Sequence, residues 1–243
     1  MYLTEITRKL DEIAPPELAE PFDEGRIGLI IEGVREPIKI GVALDATLHV
    51  LKKAISRDID LLVVHHTPLW YPITRVTGLY ASLLREVLGS GMHVFVMHTN
   101  YDHAPYGVND CLCDLLSISD RVPMRLGAVG TISLSFEEIA SRLGAPLRVY
   151  HEHVLAEKRD QEPLCIGVVG GSGFDPMLIE EAQLLGARAF LSAELKHSVM
   201  RQFSDMVLLE STHYALEAPA MSMLAERNGW LYIEDLPGVS MVR

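Results

Sequence analysis

"IGVALDATLHVLKKAISRDIDLLVVHH", residues 40–66, reads as strand, loop, helix, strand. The apolar runs at 38–44 and 60–65 are short and rich in Val, Ile and Leu, which suits buried strands. The helical pattern at 47–57 between them makes a βαβ unit, and such units build parallel sheets. The alternation continues outward. Helix 79–90, strand 93–97 and a helix at about 107–116 follow. Helix 135–143 opens on Ser135 with Glu138 three residues on, a capping box, and strand 146–150 comes after it. Strand 164–170, helix 175–185, strand 188–192, helix 195–202, strand 206–210 and helix 216–227 complete the series. Upstream, residues 2–13 read as an amphipathic helix and a short helix falls near 16–20. The fold class is α/β with mostly parallel sheets.

The opening stretch has an echo. "IGVVGGSGFDPMLIEEAQLLGARAFLSAE" repeats the order strand, loop, helix, strand. At a shift of 128, His66 falls on Glu194; at a shift of 113, Thr99-Asn100-Tyr101 falls on Thr212-His213-Tyr214. Two similar α/β halves are expected, 1–125 and 126–243, by internal duplication.

Composition bounds the function. The chain has 243 residues, 49% hydrophobic and 22% charged, with a net charge of −12. That acidity disfavours non-specific nucleic-acid binding and is compatible with cation binding. Three cysteines, Cys111, Cys113 and Cys165, are too few and odd for a disulfide framework, so a cytoplasmic setting is expected. No apolar run approaches the ~20 residues of a membrane span. The N-terminus lacks the apolar core of a signal peptide.

The opening stretch ends in two adjacent imidazoles, His65 and His66, before Thr67-Pro68 turns the chain. Neighbouring strand residues point to opposite faces. Two such rings converge only where the strand ends. In parallel α/β sheets the ligand site lies at the carboxyl ends of strands. The other ends there carry His98 and Asp102, Glu194 and His197, and His213 and Glu217. His213 and Glu217 are four apart, one face of a helix's first turn. Imidazole with carboxylate is a ligand set for Zn, Mn, Fe or Ni. The set His65, His66, Asp102, His213 and Glu217 exceeds one tetrahedral site and suits two divalent ions. His98 reads as a ligand or as an orienting partner. His49, His93, His103, His151 and His153 read as structural. The turn Gly170-Gly171-Ser172-Gly173 precedes a helix, where N–H groups contact phosphate or simply allow a tight βα connection.

These motifs, "LLVVHHTPLW", "HTNYDHAPYGVND", "GVVGGSG", "LSAELKH" and "THYALE", occur in the order found in the NIF-three-like family, also called GTP cyclohydrolase I type 2, which the chain resembles over nearly its whole length. The resemblance implies intertwined halves with a dinuclear metal site between them, and a toroidal homohexamer built as a trimer of dimers. It implies the same five ligands, with Glu217 as the bridge. Two departures stand out. "AELKHS" has Ser198 where the family often has a second histidine. The family's Trp-Asp-Asn-x-Gly-Leu is "PFDEGRIGL" here, a change read as packing. The implied activity is metal-dependent hydrolysis, opening the imidazole ring of GTP, with His197, Glu194 or His98 as proton shuttles. A two-metal phosphatase or phosphodiesterase is the alternative enzyme. A non-catalytic metal-binding scaffold or regulator that engages protein or single-stranded nucleic acid is the third reading.

Overall fold

The computed structural model describes residues 2–158 and 163–238. Its strands in chain order are β1 (Gly28–Ile31), β2 (Ile40–Asp45), β3 (Leu61–His66), β4 (His93–Val96), β5 (Ser119–Pro123), β6 (Ala128–Ile132), β7 (Arg148–Tyr150), β8 (Leu164–Val168), β9 (Ala189–Ser192), β10 (Val207–Glu210) and β11 (Leu231–Tyr232). The α-helices are α1 (Leu3–Ile13), α2 (Leu48–Ser56), α3 (Gly78–Ser90), α4 (Thr99–His103), α5 (Val108–Leu115), α6 (Phe136–Leu143), α7 (Pro176–Leu184), α8 (His197–Gln202) and α9 (His213–Asn228). Short 3-10 turns occupy Pro16–Leu18 and Pro21–Asp23. No helix among the described residues is long and apolar enough to cross a membrane.

The chain forms two compact units, residues 1–105 with 220–243, and residues 106–219. The expected division at 125/126 differs at both ends, for a packing reason. Leu112, Cys113, Leu116 and Ile118 bury their side chains with Ile166 and Val168, so 106–125 joins the second unit. At the other end β11 pairs with β2, and Ile233 packs against the first unit's core.

In the first unit the sheet order is β1-β4-β3-β2-β11. β11, β2, β3 and β4 run parallel, and β1 closes the edge antiparallel to β4. Val50, Leu51 and Ala54 of α2 and Val87 of α3 cover Ala43, Leu62, Val64, Val94 and Val96. Thr47 starts α2 by accepting the Val50 N–H, a side-chain cap.

In the second unit the order is β5-β6-β8-β9-β10-β7. The β8-β9-β10 centre is parallel and the flanking pairs are antiparallel. The two-residue strand period sorts its core onto two faces. Ile166, Val168, Leu191 and Leu209 meet α5, α6 and the first turns of α9. Phe190 and Leu208 meet α7 and α8. Both units are therefore α/β sheets flanked by helices, with parallel centres, and their strand ends carry the chemistry. Strands β1, β5, β6 and β11 and the single-turn helix α4 lie outside the sequence expectation. β5, "SDRVP", is exposed along its length and offers no apolar alternation. β11 is two residues long.

Candidate metal centre

In the first unit, His65 and His66 are the last residues of β3. His65 is fully buried and His66 partly exposed. Their ring centroids lie only 4.9 Å apart, because the pleat ends there. His98 follows β4 and its ring stands 5.0 Å from His65 and 5.6 Å from His66. Ring nitrogens of all three lie within 4.8 Å of one another.

What aims these rings is the other nitrogen of each. His65 Nδ1 donates to the Met97 carbonyl at 2.8 Å. His66 Nδ1 is 2.8 Å from Asp45 Oδ1, its register partner across the β2–β3 pair. His98 Nδ1 meets both oxygens of Asp23, at 2.8 and 2.9 Å. An acceptor at Nδ1 holds the proton there and makes Nε2 the lone pair. Converging lone pairs suit a cation, or a water that one of them can deprotonate. The arrangement is the one in which outer acceptors orient metal-binding histidines.

Asp102 joins this group from α4, with Oδ1 3.5 Å from His65 Nε2. The short helix is pinned at two points. Asn100 Nδ2 donates to Ala14 O at 2.7 Å, and Tyr101, buried, reaches Ala220 O at 3.4 Å. Asp23 is fully buried and also accepts the backbone N–H and the hydroxyl of Thr99. Burial pushes its carboxyl up, but the bonds from His98 and Thr99 outweigh that and hold it below the usual carboxylate range.

In the second unit, His213 is the first residue of α9 and Glu217 lies one turn on. His213 Nε2 is 2.9 Å from Glu217 Oε2, and Nδ1 is 2.7 Å from Glu194 Oε1. Glu217 is 3% exposed, so its charge calls for a cation close by. Gly171 makes room for it. At φ +61° this residue is left-handed, and a Cβ added there would land on Glu217 Oε1 and sit 3.3 Å from His213 Nε2.

The glycine-rich turn thus shapes the carboxylate's seat. Its phosphate-contact reading meets competing partners: Gly170 N–H donates to Asn109 Oδ1 and Gly173 N–H to Ser192 Oγ. Asp175 occupies the α7 N-cap by accepting the Met177 N–H. Ser172 is exposed. Glu194, expected as a proton shuttle, accepts from His213 Nδ1 at 2.7 Å. His197 opens α8, is exposed, and belongs to no group of three such donors among the described residues. Three of the histidines read as structural have hydrogen-bond partners. His93 sits between Gly33 N and Arg35 O, His103 meets Glu20, and His151 meets Met200 O.

Asp23 and Asp45 escaped the sequence reading. Asp45 ends β2, and the strand-end rule that found His66 applies to it equally. Asp23 lies in the "PFDEG" segment read as packing; its buried carboxylate orients His98, and the neighbouring Phe22 ring faces His98 as well.

The donor chemistry fits divalent metal, and the molecule is an α/β protein of two sheets whose strand ends carry metal-type ligand sets. The chain belongs to the Duf34/NIF3 (NGG1p interacting factor 3) family, whose model matches residues 1–229. It is 31% identical over 245 residues to a GTP cyclohydrolase 1 type 2 homolog of Pyrococcus horikoshii, covering 93% of this chain and 94% of that one. It is 29% identical over 235 residues to the homolog of Methanocaldococcus jannaschii, covering 93% and 94%. Among solved structures, reduced HcgD from Methanocaldococcus jannaschii superposes with a TM-score of 0.81 at 27% identity, covering 96% of each chain. The protein ybgI shares the fold with a TM-score of 0.83 at 21% identity, covering 98% of this chain and 99% of that one.

Proposed function

We propose that this chain is a metal-dependent hydrolase that opens the imidazole ring of a purine nucleotide, using two divalent ions. One observation carries the reading: four imidazoles, His65, His66, His98 and His213, each have Nδ1 held by an oxygen acceptor. The relatives named GTP cyclohydrolase 1 type 2 homologs support the substrate class. His65, His66, Asp102, His213 and Glu217 would hold the ions, and Glu217 has the two oxygens a bridge needs. Divalent ions held by such a set would bring a bound water's pKa to near 7 and polarise a bond it attacks.

The chain's own residues then divide the work. Met97 O, Asp45 and Glu194 keep His65, His66 and His213 in one tautomer. His98 takes the proton of the attacking water at Nε2, and Asp23 stabilises the resulting imidazolium. Glu194 is engaged by His213 and His197 stands apart, which favours His98 for that role. We further propose a cytosolic homohexamer, in line with the family resemblance and the sparse cysteines. Val34, Ile38 and Leu184 are exposed apolar side chains that subunit contacts would cover.

The test is a turnover screen of metal-reconstituted protein. GTP should lose its purine chromophore with time. Turnover of phosphodiesters without loss of the purine would instead mark a phosphoesterase, and silence on every substrate would mark a scaffold. Light scattering reporting a monomer at micromolar concentration would refute the oligomer.

A further inference from the structure

Beside the three imidazoles of the first unit stands a wall of aromatic side chains. The Trp70 ring meets His98 edge-on at 5.6 Å, and the Phe22 ring meets it at 6.3 Å. Phe22 and Trp70 lie 6.4 Å from each other. A large apolar ring is ordinarily covered, yet Phe22 is 53% exposed.

The wall is braced by one cation. Arg26 Nε donates to Trp70 O at 2.9 Å, Nη1 donates to Phe22 O, and the guanidinium lies 4.8 Å from the Trp70 ring. Both wall residues are thus held in place before any ligand arrives, which reduces the ordering cost of binding. Arg26 makes no ion pair among the described residues. In a chain of net charge −12, an arginine without a carboxylate partner beside a chemical centre is a place for an anionic group.

We infer that Phe22, Trp70 and Arg26 form the substrate-selecting wall of the site, stacking the planar base of a nucleotide while Arg26 favours its phosphates. The inference rests on the metal-dependent reading above and names the residues that would choose the substrate. An open aromatic face offers a planar ring sequence-tolerant stacking, and an adjacent fixed charge separates a nucleotide from its nucleoside. The position of Phe22 also explains its chemistry. It precedes Asp23, so the residue that presents the ring and the residue that aims His98 are adjacent in the chain.

The test uses intrinsic fluorescence. The chain has two tryptophans, and Trp230→Phe leaves Trp70 as the reporter. Metal content is measured first by mass spectrometry; a protein that binds no metal would fail the underlying reading and leave the wall to be judged on the titrations alone. GTP should quench Trp70 saturably, guanosine should quench it more weakly, and tripolyphosphate alone should leave it nearly unchanged. Phe22→Leu should weaken GTP binding by about tenfold with metal content retained, and Phe22→Trp should restore it. Arg26→Gln should reduce the preference for GTP over guanosine. A metal-loaded protein whose Trp70 ignores GTP, or a Phe22→Leu variant with unchanged affinity, would overturn the inference. So would quenching by a single-stranded oligonucleotide and not by GTP.

Discussion

His213 Nδ1 lies 2.7 Å from Glu194 Oε1, and Glu194 holds that carboxylate out from a left-handed backbone, φ 64°. A non-glycine residue in that region costs about 1–2 kcal/mol, and such strain persists where neighbours over-determine it. Here the neighbour is Leu195, whose N–H donates to Glu210 Oε1 at 3.0 Å. Tyr150 and Arg148 of β7 in turn hold Glu210 Oε2. Glu210 therefore braces the backbone next to Glu194.

Removing Glu194 by Glu194→Ala should lower zinc affinity ~10–100-fold, the usual cost of losing the acceptor that aims a metal-binding histidine. Glu210→Ala should lower it too, by less. Chelator competition measures both. The double variant should be no weaker than Glu194→Ala alone, since the two residues act in series. Additive losses would place Glu210 outside this chain of contacts.

Gly171→Ala should empty the site while leaving the fold intact. The new methyl meets Glu217 Oε1 and the backbone is left-handed. The strain contributes about 1–2 kcal/mol of destabilisation. The displaced carboxylate should cost most of the bound metal. Circular dichroism and metal analysis on one sample separate the two effects. Full metal occupancy would show that the loop yields and that the glycine is not needed there.

The proposed two ions per chain predict more than one equivalent of metal after reconstitution. Glu217→Ala should lose most of it, because the carboxylate proposed to bridge the ions goes and their mutual repulsion would be less compensated. His98→Ala should keep most of the metal and lose turnover, and Asp23→Asn should behave in the same direction. Mass spectrometry and turnover rates on the same preparations decide. An empty His98→Ala and a fully loaded Glu217→Ala would reverse the assignment.

Cys113 offers a control away from the site. Burial pushes its thiol up to about 11, with Arg121 opposing and Asp110 and Asp114 adding to the rise. The thiolate is therefore scarce at pH 8, and iodoacetamide should label Cys113 only on unfolding. The folded state holds this proton where the unfolded chain releases it. Stability from this group is complete below the ordinary thiol pKa and is lost as pH rises through about 11. Thermal melts should show a decline over that window, of at most about 3 kcal/mol from this group. Rapid labelling of native protein at pH 8 would contradict it.

The metal-type donors were legible because they sit where a local rule applies. His65-His66, Asp102 and the His213/Glu217 pair stand at strand ends or one helical turn apart, and strand and helix periods are properties of a short window. The parallel centres of both sheets followed from the same local alternation. Other features were decided only by tertiary structure. β5 and β11 have too little apolar pattern to announce themselves, and they exist because an existing sheet edge offers unpaired N–H and C=O groups. Asp23 is 75 residues from His98 and Asp45 is 21 from His66. Their pairing depends on which strand ends lie side by side, a matter of register across the sheet. The phosphate reading of Gly170–Gly173 and the proton-shuttle reading of Glu194 share that limit. A glycine turn or a lone carboxylate has several chemical uses, and folding sets what stands beside each: a Cβ added at Gly171 would meet Glu217, and His213 lies 2.7 Å from Glu194.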